Sequence, residues 1–121
     1  MKSQEIKFNS QNYSIIIGQN TINILPKKIK LLCPNVKKIA FIIDKKIPPK
    51  FKKKLKKGLK NYNPVLIDFH ASEKNKSLKT VNSFLKILLS KNFNRSDLVI
   101  GVGGGITGDV AGFVCSIFKR G

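Results

Sequence analysis

A glycine-rich segment near the carboxyl end of the sequence has the residue types and spacing of an anion-binding loop. Residues Gly103 to Gly108 match the pattern G-x-G-x-x-G and lie between a predicted strand and a predicted helix. Glycine allows a positive φ and lets backbone N–H groups approach an anion, while a helix start adds a partial positive charge. The segment therefore favours a pyrophosphate ligand, although glycine-rich turns also serve tight packing of a helix on a strand.

The match departs from the usual dinucleotide fingerprint. The segment does not follow the first strand, and an acidic residue about twenty positions further on would lie past Gly121. No G-K-[ST] triplet is present, which argues against a P-loop nucleotidase. Asp109 follows the glycines directly. Its spacing alone leaves open whether the carboxylate contacts a ligand or caps the predicted helix, because both roles use the same helix end.

The remaining titratable residues form no recognisable catalytic set. His70 is the only histidine, and Cys33 and Cys115 match neither a disulfide framework nor a metal-ligand spacing. Glu73 and Lys76 taken alone are typical of an ordinary surface ion pair, and Asp44 of the end of a strand. These residues therefore indicate neither a catalytic nucleophile nor a metal site.

Alternating apolar segments must position these residues. A hairpin is predicted over 6–17, buried strands over 38–43, 65–69 and 97–100, and helices over 20–32, 49–60, 77–92 and 109–119. Helices between strands imply crossover connections and a mostly parallel sheet. The expected fold is therefore α/β, with a Rossmann-like, mostly parallel sheet, flanking helices and an N-terminal β-hairpin.

The carboxyl ends of the predicted strands carry Asp44, the loop 70–76 and the glycine segment, which should meet where such sheets bind ligands. Ser77 is the predicted N-cap of a helix whose apolar face is formed by residues 78, 81, 85, 88 and 89. The last helix is apolar nearly all round and is expected to be buried.

Charge is the unusual property of the composition. Twenty-four basic and six acidic residues give a net charge of +18, and nine lysines with no acid lie between Lys45 and Lys60. Only two of the basic residues are arginines, and Lys, Asn and Ile are abundant along the whole chain. We therefore expect a solvated basic face rather than a nucleic-acid site. No signal-peptide core or membrane span is apparent, so the expected location is the cytoplasm, without a membrane partner.

Two motifs at a defined spacing resemble the 3-dehydroquinate synthase family. The first is Glu73-x-x-Lys76-Ser77-Leu78; after a helix and a strand, the second runs from Gly103 to Phe113, and Arg120-Gly121 follows. The resemblance implies that residues 1–121 form an N-terminal NAD-binding domain. It also implies a helical domain holding a divalent metal, zinc or cobalt, whose ligands are absent from this chain. A sugar-phosphate substrate and a homodimer of the full-length protein are further implications.

The resemblance also implies roles for individual positions. Asp44, Glu73 and Lys76 resemble contacts to the adenosine half of NAD, and Asp109 resembles the contact on the nicotinamide side. Arg120 resembles an arginine near the substrate phosphate, acting across a dimer interface. The pyrophosphate cradle would be formed by Gly104, Gly105, Ile106, Thr107 and Gly108.

The sequence departs from the family pattern at two places. Ala71-Ser72 stands where the family usually has Asp-Gly, and Lys46 stands where an Asn is common. Both lie next to residues with an implied role in binding NAD.

The implied function is that of a lyase of the shikimate pathway, in aromatic amino acid biosynthesis. It converts 3-deoxy-D-arabino-heptulosonate 7-phosphate to 3-dehydroquinate and phosphate, and the isolated chain is expected to be inactive. Alternatives are a related sugar-phosphate cyclase, part of an iron-type alcohol or glycerol dehydrogenase, or a small basic nucleic-acid-binding protein. Nucleic-acid binding through 6–10 phosphate contacts would weaken by about three to five decades between 50 and 200 mM salt, unlike NAD binding in a shaped cleft.

Overall fold

A computed structural model describes residues 4–7, 14–17 and 21–120, which form two compact units divided after Pro34. In the first unit, strands β1 (Gln4–Lys7) and β2 (Ser14–Ile17) pair antiparallel, with Gln4 opposite Ile17. The predicted hairpin is therefore confirmed, while its turn residues 9–12 lie outside the described residues. A 3₁₀ turn (Thr21–Ile24) leads into helix α1 (Leu25–Leu32), which has its proline in the first turn, where a missing N–H is tolerated.

The second unit is a three-layer α/β arrangement. Its elements in chain order are β3 (Ile39–Asp44), α2 (Pro49–Gly58), β4 (Val65–Phe69), α3 (Leu78–Ser90), β5 (Leu98–Val102) and α4 (Gly105–Arg120). The strands form one parallel sheet in the order β4-β3-β5. The predicted α/β fold with a parallel sheet and flanking helices is thus confirmed.

The strand order creates a point where the direction of winding reverses. The chain leaves β3 for β4 on one side and then crosses back to β5 on the other side. Ligands of open α/β sheets bind outside the carboxyl ends of the strands at such a switch point. Asp44 lies opposite Phe69, and Ile43 lies opposite Val102, so all three strands end at one edge.

The central strand β3 carries the core. Its residues 39–43 are fully buried, and Ala40 and Ile42 belong to a cluster with residues of α3 and α4. In that cluster, the rings of Phe69 and Phe84 meet edge to face with centroids 5.8 Å apart. The alternate side chains of β3, such as Phe41, face the other side of the sheet. Leu55 in α2 and Leu59 just after it are also buried. A strand buried on both faces is held rigidly, which fixes the position of Asp44 at its end.

Asp97 aligns the amino ends of β5 and β3. Its Oδ1 accepts a hydrogen bond from the backbone N–H of Lys38 at 3.0 Å, and its Oδ2 accepts one from the N–H of Asn94 at 2.9 Å. Asp97 is buried, so both hydrogen bonds are shielded from water. Since β3 and β5 start in register, they also finish in register at the opposite edge.

Two expectations about the helices are wrong. Leu78 and Leu89 are 66% and 64% exposed, because α3 faces the sheet with Val81, Phe84 and Leu88 instead. Helix α4 is not buried all round: among its described side chains, those of residues 107, 110, 111 and 114 are buried, while Phe113 and Ile117 are exposed.

The start of α4 also differs from the prediction. The helix begins at Gly105, four residues before the predicted start at Asp109. Asp109 is consequently one turn inside the helix, and the role of capping the helix start does not apply to it.

Among the described residues, no helix has the length and the apolar character needed to cross a membrane.

Candidate functional site

The glycine loop packs directly on the end of strand β3. Gly103 has a φ of +154°, and a Cβ atom built there would lie 2.7 Å from Thr107 Oγ1 and 3.0 Å from Asp44 Cβ. Neither the conformation nor the space suits any other residue. The first glycine of the motif therefore brings the loop, α4 and Asp44 into contact.

The next glycines form an open surface at the start of α4. The carbonyl of Gly104 accepts the first hydrogen bond of the helix, from the N–H of Gly108 at 3.0 Å. The N–H groups of residues 105–107 consequently have no acceptor within the helix. Cβ atoms built at Gly104, Gly105 and Gly108 would meet nothing within 4 Å. Free N–H groups, open space and the positive end of α4 together suit an anion.

Thr107 adds an unusual polar atom beneath this surface. Its side chain is completely buried, and its Oγ1 has no hydrogen-bond partner among the residues that the structure describes. The same oxygen lies under Gly103, as the 2.7 Å separation from the built Cβ shows. A buried hydroxyl without a partner is destabilising, so its retention at the loop points to a ligand or water as the missing partner. Ile106 is half-buried against the core, so only its backbone can face a ligand.

Asp44 lies at the switch point with half of its carboxylate already engaged. Its Oδ1 accepts a hydrogen bond from the backbone N–H of Lys46 at 3.0 Å, which stabilises the turn after β3. The N–H of Lys45 donates to the carbonyl of Phe69 at 2.9 Å and ties the same turn to β4. The second carboxylate oxygen of Asp44 is left for a hydroxyl donor.

The loop after β4 is a compact turn organised by its own hydrogen bonds. The hydroxyl of Ser72 accepts from the N–H of Asn75 at 3.2 Å, and the Asn75 side chain donates to the carbonyl of His70 at 2.8 Å. Ser77 caps α3 as predicted, accepting from the N–H of Thr80 at 3.3 Å. These contacts hold Glu73 and the residues up to Ser77 at the edge of the sheet. Ser72 was missed as a structural residue, although serine is a common turn former.

Lys76 and Asp109 connect this loop to α4. The Lys76 ammonium lies 3.0 Å from Asp109 Oδ2, and both side chains are largely exposed. The hydrogen bond and charge of Asp109, with a smaller contribution from Glu73, raise the pKa of Lys76 above its usual value. The structure thus brings Glu73, Lys76 and Asp109 together beside the glycine loop. A groove of about 370 Å³ adjoins the ion pair between α3 and α4, with Leu78 and Phe113 on its walls.

Arg120 is not brought to this site. It lies in the last turn of α4, whereas Gly105 begins that helix. Fifteen residues at 1.5 Å each separate the two by about 22 Å along the axis. An interaction of Arg120 with a ligand on the glycine loop is therefore not supported within one chain.

No metal site is found in the described part of the chain, where no three His, Cys, Asp or Glu side chains converge. The two described cysteines are free and lie in different elements.

Solved structures with this fold include two of the same enzyme. A 2-deoxy-scyllo-inosose synthase complexed with carbaglucose-6-phosphate, NAD⁺ and Co²⁺ superposes with a TM-score of 0.74 at 22% identity, over 99% of this chain and 33% of its own. A second structure of 2-deoxy-scyllo-inosose synthase gives a TM-score of 0.75 at 22% identity, over 99% and 34% of the two chains. The sheet order, the switch point and this likeness define a doubly wound α/β protein with the fold found in that synthase.

Sequence comparisons point to one family. Residues 66–121 match the family described as 3-dehydroquinate synthase N-terminal. The 3-dehydroquinate synthase of Pelagibacter ubique is 47% identical over 97% of this chain, and that of Streptococcus thermophilus is 35% identical over 97%. The Clostridium acetobutylicum enzyme is 33% identical over 100% of this chain. The chain is thus similar to 3-dehydroquinate synthases along nearly its whole length, and it spans about a third of the length of these relatives, from 32% to 34%.

Proposed function

We propose that this chain is the cofactor-binding part of a 3-dehydroquinate synthase and that it binds NAD⁺ at the carboxyl edge of its sheet. The observation that carries the proposal is the buried, unpartnered Thr107 Oγ1 beneath an open loop of glycines with free N–H groups. A pyrophosphate needs several donors at once, and this edge supplies them from one helix start. The NAD⁺ in the 2-deoxy-scyllo-inosose synthase structure supports the same assignment.

We propose the binding roles from the geometry of the edge together with the family resemblance. The N–H groups of residues 104–107, with the dipole of α4, hold the pyrophosphate, and Thr107 Oγ1 is satisfied beneath it. The free oxygen of Asp44 accepts a hydrogen bond from a ribose hydroxyl. From the resemblance we assign Glu73 and Lys76 to the adenosine side of NAD⁺ and Asp109 to the nicotinamide side. Lys76 and Asp109 form an ion pair at 3.0 Å, so contacts to opposite halves of the dinucleotide require this pair to open.

The chain's own contribution to the chemistry is binding and orientation. NAD⁺, when bound, supplies a hydride acceptor and later a hydride donor for a substrate alcohol. The residues at the edge fix the position of the nicotinamide and neutralise the charge of the pyrophosphate. We assign no proton transfer to any residue of this chain.

We assign metal binding and most substrate binding to the part of the relatives that this chain does not span. We infer that the ligands of a divalent metal and most contacts to the sugar-phosphate substrate lie there, so the isolated chain is inactive. Arg120, at the far end of α4, would reach the substrate phosphate of a second subunit in a homodimer. We place the enzyme in the cytoplasm. The proposal that the isolated chain is inactive would be refuted by detectable turnover of the purified 121-residue protein.

The nucleic-acid alternative rests on the net charge of +18 and on the lysines of residues 45–60, most of which lie in α2. The lysine side chains of α2 extend from a single helix and are mostly exposed, with Phe51 flanked by the ammonium groups of Lys50 and Lys54 at 5.4 and 6.0 Å from its ring centroid. No recognition motif accompanies them, and a lysine-rich helix is a solvated face in most proteins. We therefore keep NAD⁺ binding as the proposed function.

The test is the substitution Gly105→Val, measured by calorimetric titration with NAD⁺. A Cβ atom there meets nothing within 4 Å, so we expect the fold to tolerate valine, while its methyl groups would occupy the proposed space of the pyrophosphate. Loss of two hydrogen bonds to a charged group predicts a fall in affinity of about 100-fold or more. Gly112→Val is the matched control, since Gly112 is also in α4 with open space around it.

Both variants should keep the wild-type circular dichroism spectrum, since a Cβ atom at either position has open space around it. If Gly105→Val binds NAD⁺ within about twofold of the wild type, the glycine loop is not the cradle and the proposed function is wrong. Equal losses in both variants would contradict it as well, because the effect would then arise from the helix and not from the loop.

A further inference from the structure

Two lysines follow Asp44 at the edge where the proposed cofactor binds. Lys45 and Lys46 are exposed, and their ammonium groups have no hydrogen-bond or ion-pair partner among the residues described. Their backbone N–H groups, in contrast, are fixed by Phe69 O and Asp44 Oδ1. Two free cations therefore extend from a turn whose backbone position is well defined.

Asp44 has one carboxylate oxygen already engaged by the backbone. A carboxylate that holds the ribose hydroxyls selects NAD⁺, because it repels a 2′-phosphate, whereas a nearby basic side chain accommodates that phosphate. Here one oxygen of Asp44 accepts a backbone N–H, and two lysines follow it. Two positive charges in the same turn would offset the repulsion by which a carboxylate excludes a 2′-phosphate.

The turn is also close enough to the cradle to act on the same ligand. Asp44 Cβ lies 3.0 Å from a Cβ built at Gly103, so the β3–α2 turn and the glycine loop are neighbours. The buried Thr107 Oγ1 independently marks that loop as a ligand site. We propose that Lys45 and Lys46 form a subsite for the 2′-phosphate of a phosphorylated dinucleotide, so that this site accepts NADP⁺ as well as NAD⁺. The inference rests on the proposed function, since it requires a ribose at Asp44.

The experiment compares titrations with NAD⁺ and NADP⁺ in the wild type and in the double variant Lys45→Gln/Lys46→Gln. We expect the wild type to bind the two nucleotides within about tenfold of each other. The double variant should lose about tenfold in affinity for NADP⁺, as expected for one charge-assisted hydrogen bond, and about twofold or less for NAD⁺. The control is Lys56→Gln/Lys57→Gln, which removes the same charge from exposed positions in the last turn of α2.

A second measurement reports on the subsite directly. The 2′-phosphate and the pyrophosphate of NADP⁺ have separate ³¹P resonances, so each can be followed during a titration with protein. A lysine beside the 2′-phosphate favours its dianion and lowers its second pKa, and the double variant should restore the free value.

The outcomes separate this inference from the proposed function. Selective loss of NADP⁺ binding in Lys45→Gln/Lys46→Gln, with the control unchanged, supports the subsite. If the wild type binds NAD⁺ but binds NADP⁺ more than about 100-fold more weakly, the subsite is wrong and the cradle stands. The same conclusion follows if both double variants lose equal affinity for NADP⁺. Failure of the wild type to bind either nucleotide would overturn the proposed function, and the subsite with it.

Discussion

The carboxyl edge of the sheet and the lysine-rich helix α2 are both polar and exposed, but they are built differently. The edge takes residues from three strand ends, so Asp44, the loop 70–77 and the glycine loop converge from distant parts of the sequence. The lysines of α2 come from consecutive turns of one helix. Convergence creates a shaped, restrained site, whereas a run of like charges on one helix creates only a positive field.

The distribution of acidic residues sharpens this contrast. The chain has only six acidic residues, and three of them, Asp44, Glu73 and Asp109, lie at the carboxyl edge. On the side of α2, Lys52 donates to Asp68 at 2.9 Å, while residues 45–60 contain no acid of their own. In a protein with a net charge of +18, half of the acidic residues are therefore concentrated at this edge, where Lys76 pairs with Asp109.

The largest expected difference between the two regions is in how firmly their backbone is held. The substitutions Gly103→Ala at the edge and Lys53→Ala on α2 test it through the free energy of unfolding. At Gly103 a new methyl group meets Thr107 and Asp44, and the φ of +154° is unfavourable for alanine. Overpacking and strain together should lower the free energy of unfolding by about 2–4 kcal/mol. Lys53 is exposed on α2, and its replacement should change stability by no more than about 0.5 kcal/mol. Urea denaturation followed by circular dichroism measures both.

An equal, small effect of the two substitutions would contradict this picture. It would mean that the glycine loop relaxes freely in solution, as an exposed helix surface does. The proposed pyrophosphate cradle would then lack the rigidity that a preorganised site requires.

Thr107→Val is expected to have a smaller effect, leaving stability unchanged or raising it while weakening the binding of NAD⁺. The substitution removes a buried hydroxyl without a described partner, so the free energy of unfolding should stay constant or rise by up to about 1 kcal/mol. Affinity for NAD⁺ should fall about three- to tenfold, because one hydrogen bond to the ligand is lost. Thr107→Ser keeps the hydroxyl and should keep the affinity. A destabilised Thr107→Val protein would show that the hydroxyl has a partner within the chain itself.

The position of this edge could be predicted from the sequence because strand alternation is a local property. Three apolar segments separated by helices imply a parallel sheet, and the residues after each segment must then meet. Asp44, the loop after β4 and the glycine loop were placed correctly for that reason. Ser77 was also recognised as a cap from its neighbours alone.

Features that depend on packing could not be predicted in the same way. The start of α4 at Gly105 is set by the hydrogen bond from Gly108 to Gly104, whereas a pattern of apolar residues begins only after Asp109. The exposure of Leu78 and Phe113 depends on which stripe of each helix meets the sheet. The ion pair between Lys76 and Asp109 joins two elements that no local periodicity connects.

That ion pair supports the smallest of the predicted effects. Asp109 and, to a lesser degree, Glu73 raise the pKa of Lys76, so Asp109→Asn should bring this pKa back toward its usual value. Because a raised lysine pKa stabilises the folded state below the unfolded-state pKa, the contribution is present at pH 7. It is lost as the pH rises above about 10.4 and passes through the folded-state pKa. Both groups are exposed and screened, so the melting temperature at pH 7 should not change measurably.

An NMR titration of the Lys76 side chain in the wild type and in Asp109→Asn measures this shift. Asp68→Asn is the matched control, since it removes the carboxylate of the other described ion pair, beside α2. An unchanged Lys76 pKa in Asp109→Asn would mean that the charges at the edge do not pair in solution. The edge would then differ from α2 only in its backbone, and its ligand preference would have to come from the glycine loop and Thr107 alone.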